Sequence, residues 1–574
     1  MLLLGLACLL PAKAIDLAIP YLFKLGIDGA TREGIGPGHR HLTWREELGL
    51  AALAILIGAV SAALSYAMRR LLVRASRDFE RDLRLTLHAK LLKLPQHWFG
   101  TTTVGDLVSR MTQDIEAVRM ALGPGMMYVG NAIVAVSGAF ALMFFMDRRL
   151  MLWMGVPFLV LGLVALLMAR RLGRASDAVQ QGIGKISACA AESFSAIRIL
   201  KVFAGEERQH SRMRGLSLDY FDAQMKLAAA RGGMMALLYA VKDVSHFVIL
   251  LIGGMSIVAR RSTIGDFVVY RSWMLQCFWP LVTFGWIVSM VQRAAAGMRR
   301  IADVLETVPA IDSPATPKAP AIPARGKALP IEWRDVTVRL GGRTVLDRVS
   351  LEVPAGGSLG ITGPTGSGKS LLVQLVARLV DPDEGAVLVG GVDTREWELH
   401  SLRRAVGFVP QEPFLFSDLL RENLRFARPD ASDAQGMEAA RAAGLELDLA
   451  ALAAGLDTRV GERGVTLSGG QRQRATLARA LLADPPVVIL DDALSAVDAE
   501  TEARILARLR AELEGRTAVV VSHRVAALAG LDRIVVIEDG RRVEIGSHAE
   551  LIRLGGHYAR LEHDQRLLAE IEAL

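Results

Sequence analysis

The chain has 574 residues, more than one hydrophobic core supports, so two or more domains are expected. Its hydrophobic content of 52% and mean hydropathy of +0.32 exceed what an ordinary water-soluble protein carries and point to membrane spans. A net charge of +7 fits nucleic-acid binding or basic cytoplasmic loops, and the apolar content favours the loops, with no nucleic-acid partner.

The three cysteines, Cys8, Cys189 and Cys277, are scattered and form no metal or disulfide pattern. They suit a reducing compartment on at least one side of the membrane.

Residues 1 to about 310 read as helical and largely apolar, with about six candidate spans of the length a bilayer needs. These lie near Leu2–Ile27, Leu48–Met68, Gly125–Met146, Leu150–Met168, Met234–Val258 and Phe267–Val291. Met1–Ala14 superficially resembles a signal peptide, with Ala12-Lys13-Ala14 as a mock cleavage site, but no basic region precedes it. The gaps alternate in length. Asp28–Glu47, Asp147–Arg149 and Ala259–Asp266 are short, whereas Arg69–Leu122 and Ala169–Arg231 are long, polar and helix-like. Arginines crowd the long gaps (Arg69, Arg70, Arg74, Arg77, Arg81, Arg84; Arg170, Arg171, Arg174), which places both in the cytoplasm. Arg148, Arg149, Arg260 and Arg261, in short gaps, argue weakly the other way.

Polar residues interrupt the spans at Lys13 and Asp16, at Lys242, Asp243 and His246, and at Arg271 and Gln276. Charges at membrane depth usually face a cavity or a partner. A place in a translocation path is the sharper reading. Local pairing or a position near the head groups is the milder one, and the sequence favours it.

Pro309, Pro314, Pro317, Pro320 and Pro323 mark an extended linker over 309–330, dividing a membrane domain (1–308) from a second domain (331–574). Ile331–Arg339 and Val345–Val353 alternate like antiparallel strands, and mixed strand–helix units follow, the pattern of an α/β nucleotide-binding domain. The tail Tyr558–Leu574 reads as an amphipathic helix packed on that domain.

Gly363-Pro364-Thr365-Gly366-Ser367-Gly368-Lys369-Ser370 follows the apolar run Ser358–Thr362 and opens a helix. The spacing GxxxxGK[ST] in a strand–loop–helix setting is a phosphate-binding loop. Its glycines let backbone N–H groups converge on phosphate, its lysine reaches the β/γ-phosphates, and its serine hydroxyl ligates Mg²⁺. The chain therefore binds a nucleoside triphosphate. Val487–Asp492 is a buried strand ending in two acids, and Asp491 is the candidate Mg²⁺ ligand. Leu467-Ser468-Gly469-Gly470-Gln471 makes a second anion-binding turn at a helix start. One phosphate loop does not need two such cradles, so this one is expected to serve a nucleotide held by another subunit.

Phosphate loop, Gln411 after Gly407-Phe-Val-Pro, Leu467–Gln471, the acidic strand end, Ser495-Ala-Val-Asp498 and Ser522-His523-Arg524 follow the order of an ATP-binding-cassette ATPase. With spans fused ahead of it, the whole chain resembles a half-transporter of the ABC exporter type in a bacterial cytoplasmic membrane. Phe99…Gly105-Asp106…Ser109-Arg110…Asp114 is similar to that family's first cytoplasmic loop, and Glu192–Lys201…Gly205-Glu206 to its second. Met1 falls inside the first span, where the family's membrane domain is expected to open with an interfacial helix, so a truncated start and a real difference from the family both stay open.

The resemblance implies a fold, a six-helix membrane domain with long cytoplasmic extensions followed by a phosphate-loop α/β ATPase. It also implies roles. Gly363–Ser370 cradle the phosphates of ATP; Ser370, Gln411 and Asp491 hold Mg²⁺; Gln411 also contacts the attacking water. Leu467–Gln471 close over the partner's ATP, Asp498 sits at the dimer seam, and His523 contacts the γ-phosphate. Gly461-Glu462-Arg463-Gly464 touches the partner's cytoplasmic helices.

Two positions depart from the family. Asp492 replaces the glutamate that orients the hydrolytic water, and Leu340 stands where an aromatic residue stacks on adenine, with Trp333 nearby but misplaced. The chain thus resembles the degenerate half of a heterodimeric exporter, needing a second half-transporter as partner, and a homodimer in which Asp492 still works remains the alternative. An ATP-gated regulator or channel without pumped cargo also stays open. Fusion of the two domains argues against an importer, and the spans argue against a DNA-repair cassette.

Overall fold

A computed structural model describes residues 1–31, 42–318, 328–461, 464, 466–493 and 499–572. They form two compact units: Met1–Leu92 with Val104–Thr307, and Lys93–Thr103 with Val308–Leu574.

The first unit is helical: α1 (Leu2–Ala30), α2 (Trp44–Lys93), α4 (Val104–Met146), α5 (Arg148–Ser195), α6 (Ile197–Val202), α7 (Glu206–Val258) and α8 (Ile264–Glu306). The short α3 (Gln96–Thr101) groups with the second unit. Among the described residues, α1, α2, α4, α7 and α8 are long and apolar enough to cross a membrane. The candidate Leu150–Met168 falls inside the 48-residue α5. Leu17, Ala139, Met143, Ile249, Tyr270 and Trp273 share one buried cluster that joins α1, α4, α7 and α8. Without water as a competitor, its polar atoms bond to backbone: Trp273 Nε1 donates to Leu17 O (2.9 Å) and the Tyr270 hydroxyl to Met143 O (3.2 Å).

The first-loop motif holds this unit together. Buried Asp114 accepts from Arg300 Nε (2.8 Å) and Nη2 (2.5 Å), and Arg110 pairs with Asp106 (2.7 Å). Gly297 lies so close that a Cβ there would sit 3.2 Å from the Asp114 Cα.

The second unit contains two sheets. One is antiparallel, in the order β2 (Arg343–Val353), β1 (Ile331–Leu340), β4 (Glu384–Val389), β5 (Val392–Asp393). The other runs β10 (Arg541–Gly546), β9 (Arg533–Glu538), β3 (Ser358–Thr362), β8 (Thr517–Val521), β7 (Val487–Asp491), β6 (Val406–Val409). All pairs in it are parallel except β9–β10. Every residue of β7 and β8 is buried, as expected of continuous apolar runs covered on both faces. The carboxyl ends of β3, β7 and β8 therefore lie side by side, with Asp491 paired to Val521 in register. That edge is where an open α/β sheet binds its ligand.

Candidate functional site

Three loops leave that edge. After β3, Gly363, Gly366 and Gly368 take φ values of +142°, +84° and +96°. At Gly363 a Cβ would lie 2.0 Å from Ile537 O, so only glycine lets this loop turn against β9. Lys369 opens α9 (Lys369–Gln374), and its Nζ donates to Gly363 O (2.9 Å) and Pro364 O (2.7 Å), folding the side chain over the loop. Burial lowers the Lys369 pKa, against the opposing pull of Asp491 and Asp492.

From the end of β7, Asp491 Oδ1 accepts a hydrogen bond from Ser370 Oγ (3.0 Å). Burial raises the Asp491 pKa, with Asp492 adding to the effect. Asp492 leaves the strand at φ +48°, its N–H donating to Val521 O (2.9 Å). After β8, half-buried His523 has its pKa lowered by burial and then by the Lys369 charge. Lys369, Asp491, Asp492 and His523 thus sense one another electrostatically. Gln411 is exposed, two residues beyond the end of β6.

The residues present fit a nucleoside triphosphate and a hard cation. Ser367 Oγ and Thr362 Oγ1 are buried without a hydrogen-bond partner, a cost that added acceptors at the loop relieve. A hydroxyl and a carboxylate bonded to each other form the oxygen donor set that Mg²⁺ takes.

The second cradle is built separately. Ser468 N-caps α10 (Gly469–Leu482) in a capping box with Gln471, and Leu467 is buried beneath it. Gln471 Nε2 donates to Asp448 Oδ1 (3.3 Å). Gly469 and Gly470 open the helix. Asp498, with Ser495–Val497, and Glu462 and Arg463 lie outside the described residues.

Trp333 is 1% exposed and donates its Nε1 to Leu372 O (3.1 Å), which removes it as a base-stacking group. Leu340, 49% exposed, ends β1 beside the turn Gly341–Gly342.

One supporting residue had no signature in the sequence. Gln565, on α11 (His557–Glu572), accepts from Val525 N (2.9 Å) and donates to His523 O (2.6 Å). The tail helix thereby braces the His523 loop. Only the tail's amphipathic pattern hinted at such packing.

A phosphate loop at the edge of a parallel sheet, an acidic strand end beside it, and a helical membrane unit on the same chain define a membrane-bound nucleotide-driven ATPase. Residues 2–281 match the ABC transporter transmembrane region, and residues 346–495 match the ABC transporter domain. A protein of Aromatoleum aromaticum described as an ATP-dependent lipid A-core flippase is 34% identical over 523 residues, covering 89% of this chain and 84% of its own length. The multidrug resistance-like ATP-binding protein MdlA of Escherichia coli is 30% identical over 569 residues, covering 99% of this chain and 95% of its own length. A bacterial Atm1-family ABC exporter solved with ATP bound superposes with a TM-score of 0.81 at 27% identity, covering 98% of each chain. The chain belongs to the ABC transporter family. It is an ATP-hydrolysing exporter of the bacterial inner membrane, with its ATPase domain on the cytoplasmic side.

Proposed function

We propose that this exporter is the weakly hydrolysing half of a heterodimer, working by alternating access on a small molecule, lipid or peptide. Gly363–Ser370 bind the triphosphate, with Lys369 on the β/γ-phosphates. Ser370, Asp491 and Gln411 would hold Mg²⁺, which neutralises charge on the phosphates. His523, kept neutral by burial, contacts the γ-phosphate. Leu467–Gln471 close over ATP on the partner subunit, and Asp498 lies at the seam. The domains take the bounds 1–308 and 331–574, with 309–330 as linker.

The observation that carries the heterodimer is Asp492. Its carboxylate is one methylene shorter than a glutamate's, on a backbone held at φ +48° next to Asp491. A misplacement of about 1 Å costs on the order of 100-fold in rate when a group must orient the attacking water. The capping box of the second cradle supports the reading that this chain would complete a competent site on a partner. Purification of the tagged chain from its native membranes tests this. Recovery of a second half-transporter with glutamate at the matching position is expected; a stable, active homodimer contradicts it.

A further inference from the structure

The polar residues of α7 and α8 come together across one seam. A short connection joins the two helices, so they run antiparallel. The Tyr239 and Phe278 rings set their register, with centroids 6.3 Å apart. Below them, Leu238 and Phe278 share an apolar cluster with Met234 and Val241. Two helical turns from that pair toward the connection bring His246 on α7 and Arg271 on α8 to the same level, close enough for the two charges to interact. Lys242 lies between, its Nζ 5.2 Å from the Tyr239 ring centre and 3.1 Å from Asp243 Oδ1.

Local pairing accounts for Lys242 alone. Asp243 is the one carboxylate of this group, and His246 Nδ1 stands 4.0 Å from it. His246 Nε2 is buried without a hydrogen-bond partner. Arg271 is exposed and, among the described residues, has neither ion-pair nor hydrogen-bond partner. Two cationic side chains and an imidazole thus share one carboxylate. Such an excess calls for an anion or for water. The surface beneath it is apolar. Leu275 and Trp279, 64% exposed, continue the Arg271 stripe at helical spacing, and Tyr239 lines the other side.

We propose that Arg271, His246 and Lys242 form a head-group subsite for an anionic amphiphile, a molecule with a phosphate or carboxylate head whose apolar part lies along Leu275, Trp279 and Tyr239. The guanidinium gives the head a two-pronged donor, and His246 Nε2, protonated at that nitrogen, adds a third. The assignment deepens the export reading of the membrane unit and rests on it.

Binding of lysophosphatidic acid and of lysophosphatidylcholine with the same acyl chain to the purified full chain tests the proposal, read by tryptophan fluorescence or native mass spectrometry. The anionic lipid is expected to bind about tenfold tighter. Arg271→Ala reduces that preference to about twofold or less, and Arg271→Lys, which keeps the charge but loses the fork, restores only part of it. His246→Ala, which weakens the same preference, serves if Arg271→Ala does not fold. Glycerol 3-phosphate, the head without the chain, does not compete; effective competition by it overturns the amphiphile assignment. Equal binding of the two lipids, or an unchanged preference in Arg271→Ala and His246→Ala, overturns the subsite. ATP binding to the same preparations separates the two levels. Loss of ATP binding with the lipid preference intact contradicts the export reading, whereas intact ATP binding with no preference contradicts the subsite.

Discussion

The Ser370 hydroxyl donates to Asp491 Oδ1 over 3.0 Å, tying the first turn after the phosphate loop to the end of a strand distant in sequence. In the proposed site these two oxygens would hold Mg²⁺, giving up their bond to each other. Burial raises the Asp491 pKa, and the proton competes with the cation. On acidification, Mg²⁺-dependent binding of a fluorescent ATP analogue is expected to fall at a higher pH than an ordinary aspartate implies. The sign for stability is opposite. A carboxylate with a raised folded pKa favours folding at acid pH and costs stability above it, so Asp491→Asn raises the melting temperature at neutral pH while abolishing Mg²⁺ dependence. Calorimetry beside Mg²⁺ titration checks both.

Gly363→Ala is expected to abolish nucleotide binding. Its Cβ would meet Ile537 O at 2.0 Å at a φ of +142°, so the loop must move away from β9. Strain of this kind costs about 1–3 kcal/mol. Thermal unfolding of the isolated variant beside wild type measures it, and an unchanged melting temperature would show that the loop yields freely.

Gln565→Ala removes the two hydrogen bonds that brace the His523 loop. At about 0.5–1.5 kcal/mol each, their loss loosens the loop without unfolding the domain. Faster hydrogen exchange at the Val525 amide is the expected readout, with phosphate-loop exchange unaltered.

Leu340→Tyr supplies an aromatic face at the exposed end of β1. Base–aromatic stacking contributes about 1–3 kcal/mol, so ATP is expected to bind about tenfold tighter. Trp333→Phe leaves affinity unchanged, because Trp333 is buried against Leu372. Equilibrium titration of both variants distinguishes them.

The phosphate loop, the acidic strand end at Asp491 and the turn at Ser468 that opens a helix were legible because each is a short, contiguous motif whose backbone geometry follows from residue type. Strand existence was legible too: the apolar run read as a strand at Val487 is β7, and it is fully buried. What sequence alone left open were pairings between distant segments. Gln565 with His523, Arg300 with Asp114, and His246 opposite Arg271 each depend on tertiary register. Periodicity within one helix carries no information about which helix lies across from it. Trp333, which the sequence already set one strand turn away from the stacking position, is turned into the core by the pleat of β1.

Steady-state ATP hydrolysis by this chain alone in lipid, beside Asp492→Glu, tests the central claim most directly. The expected result is a nearly inert wild type and a turnover raised by as much as about 100-fold in Asp492→Glu, the scale set by repositioning a carboxylate by about 1 Å. Ordinary turnover in the wild type, unimproved by the substitution, would contradict the degenerate site and make the chain a self-sufficient homodimer.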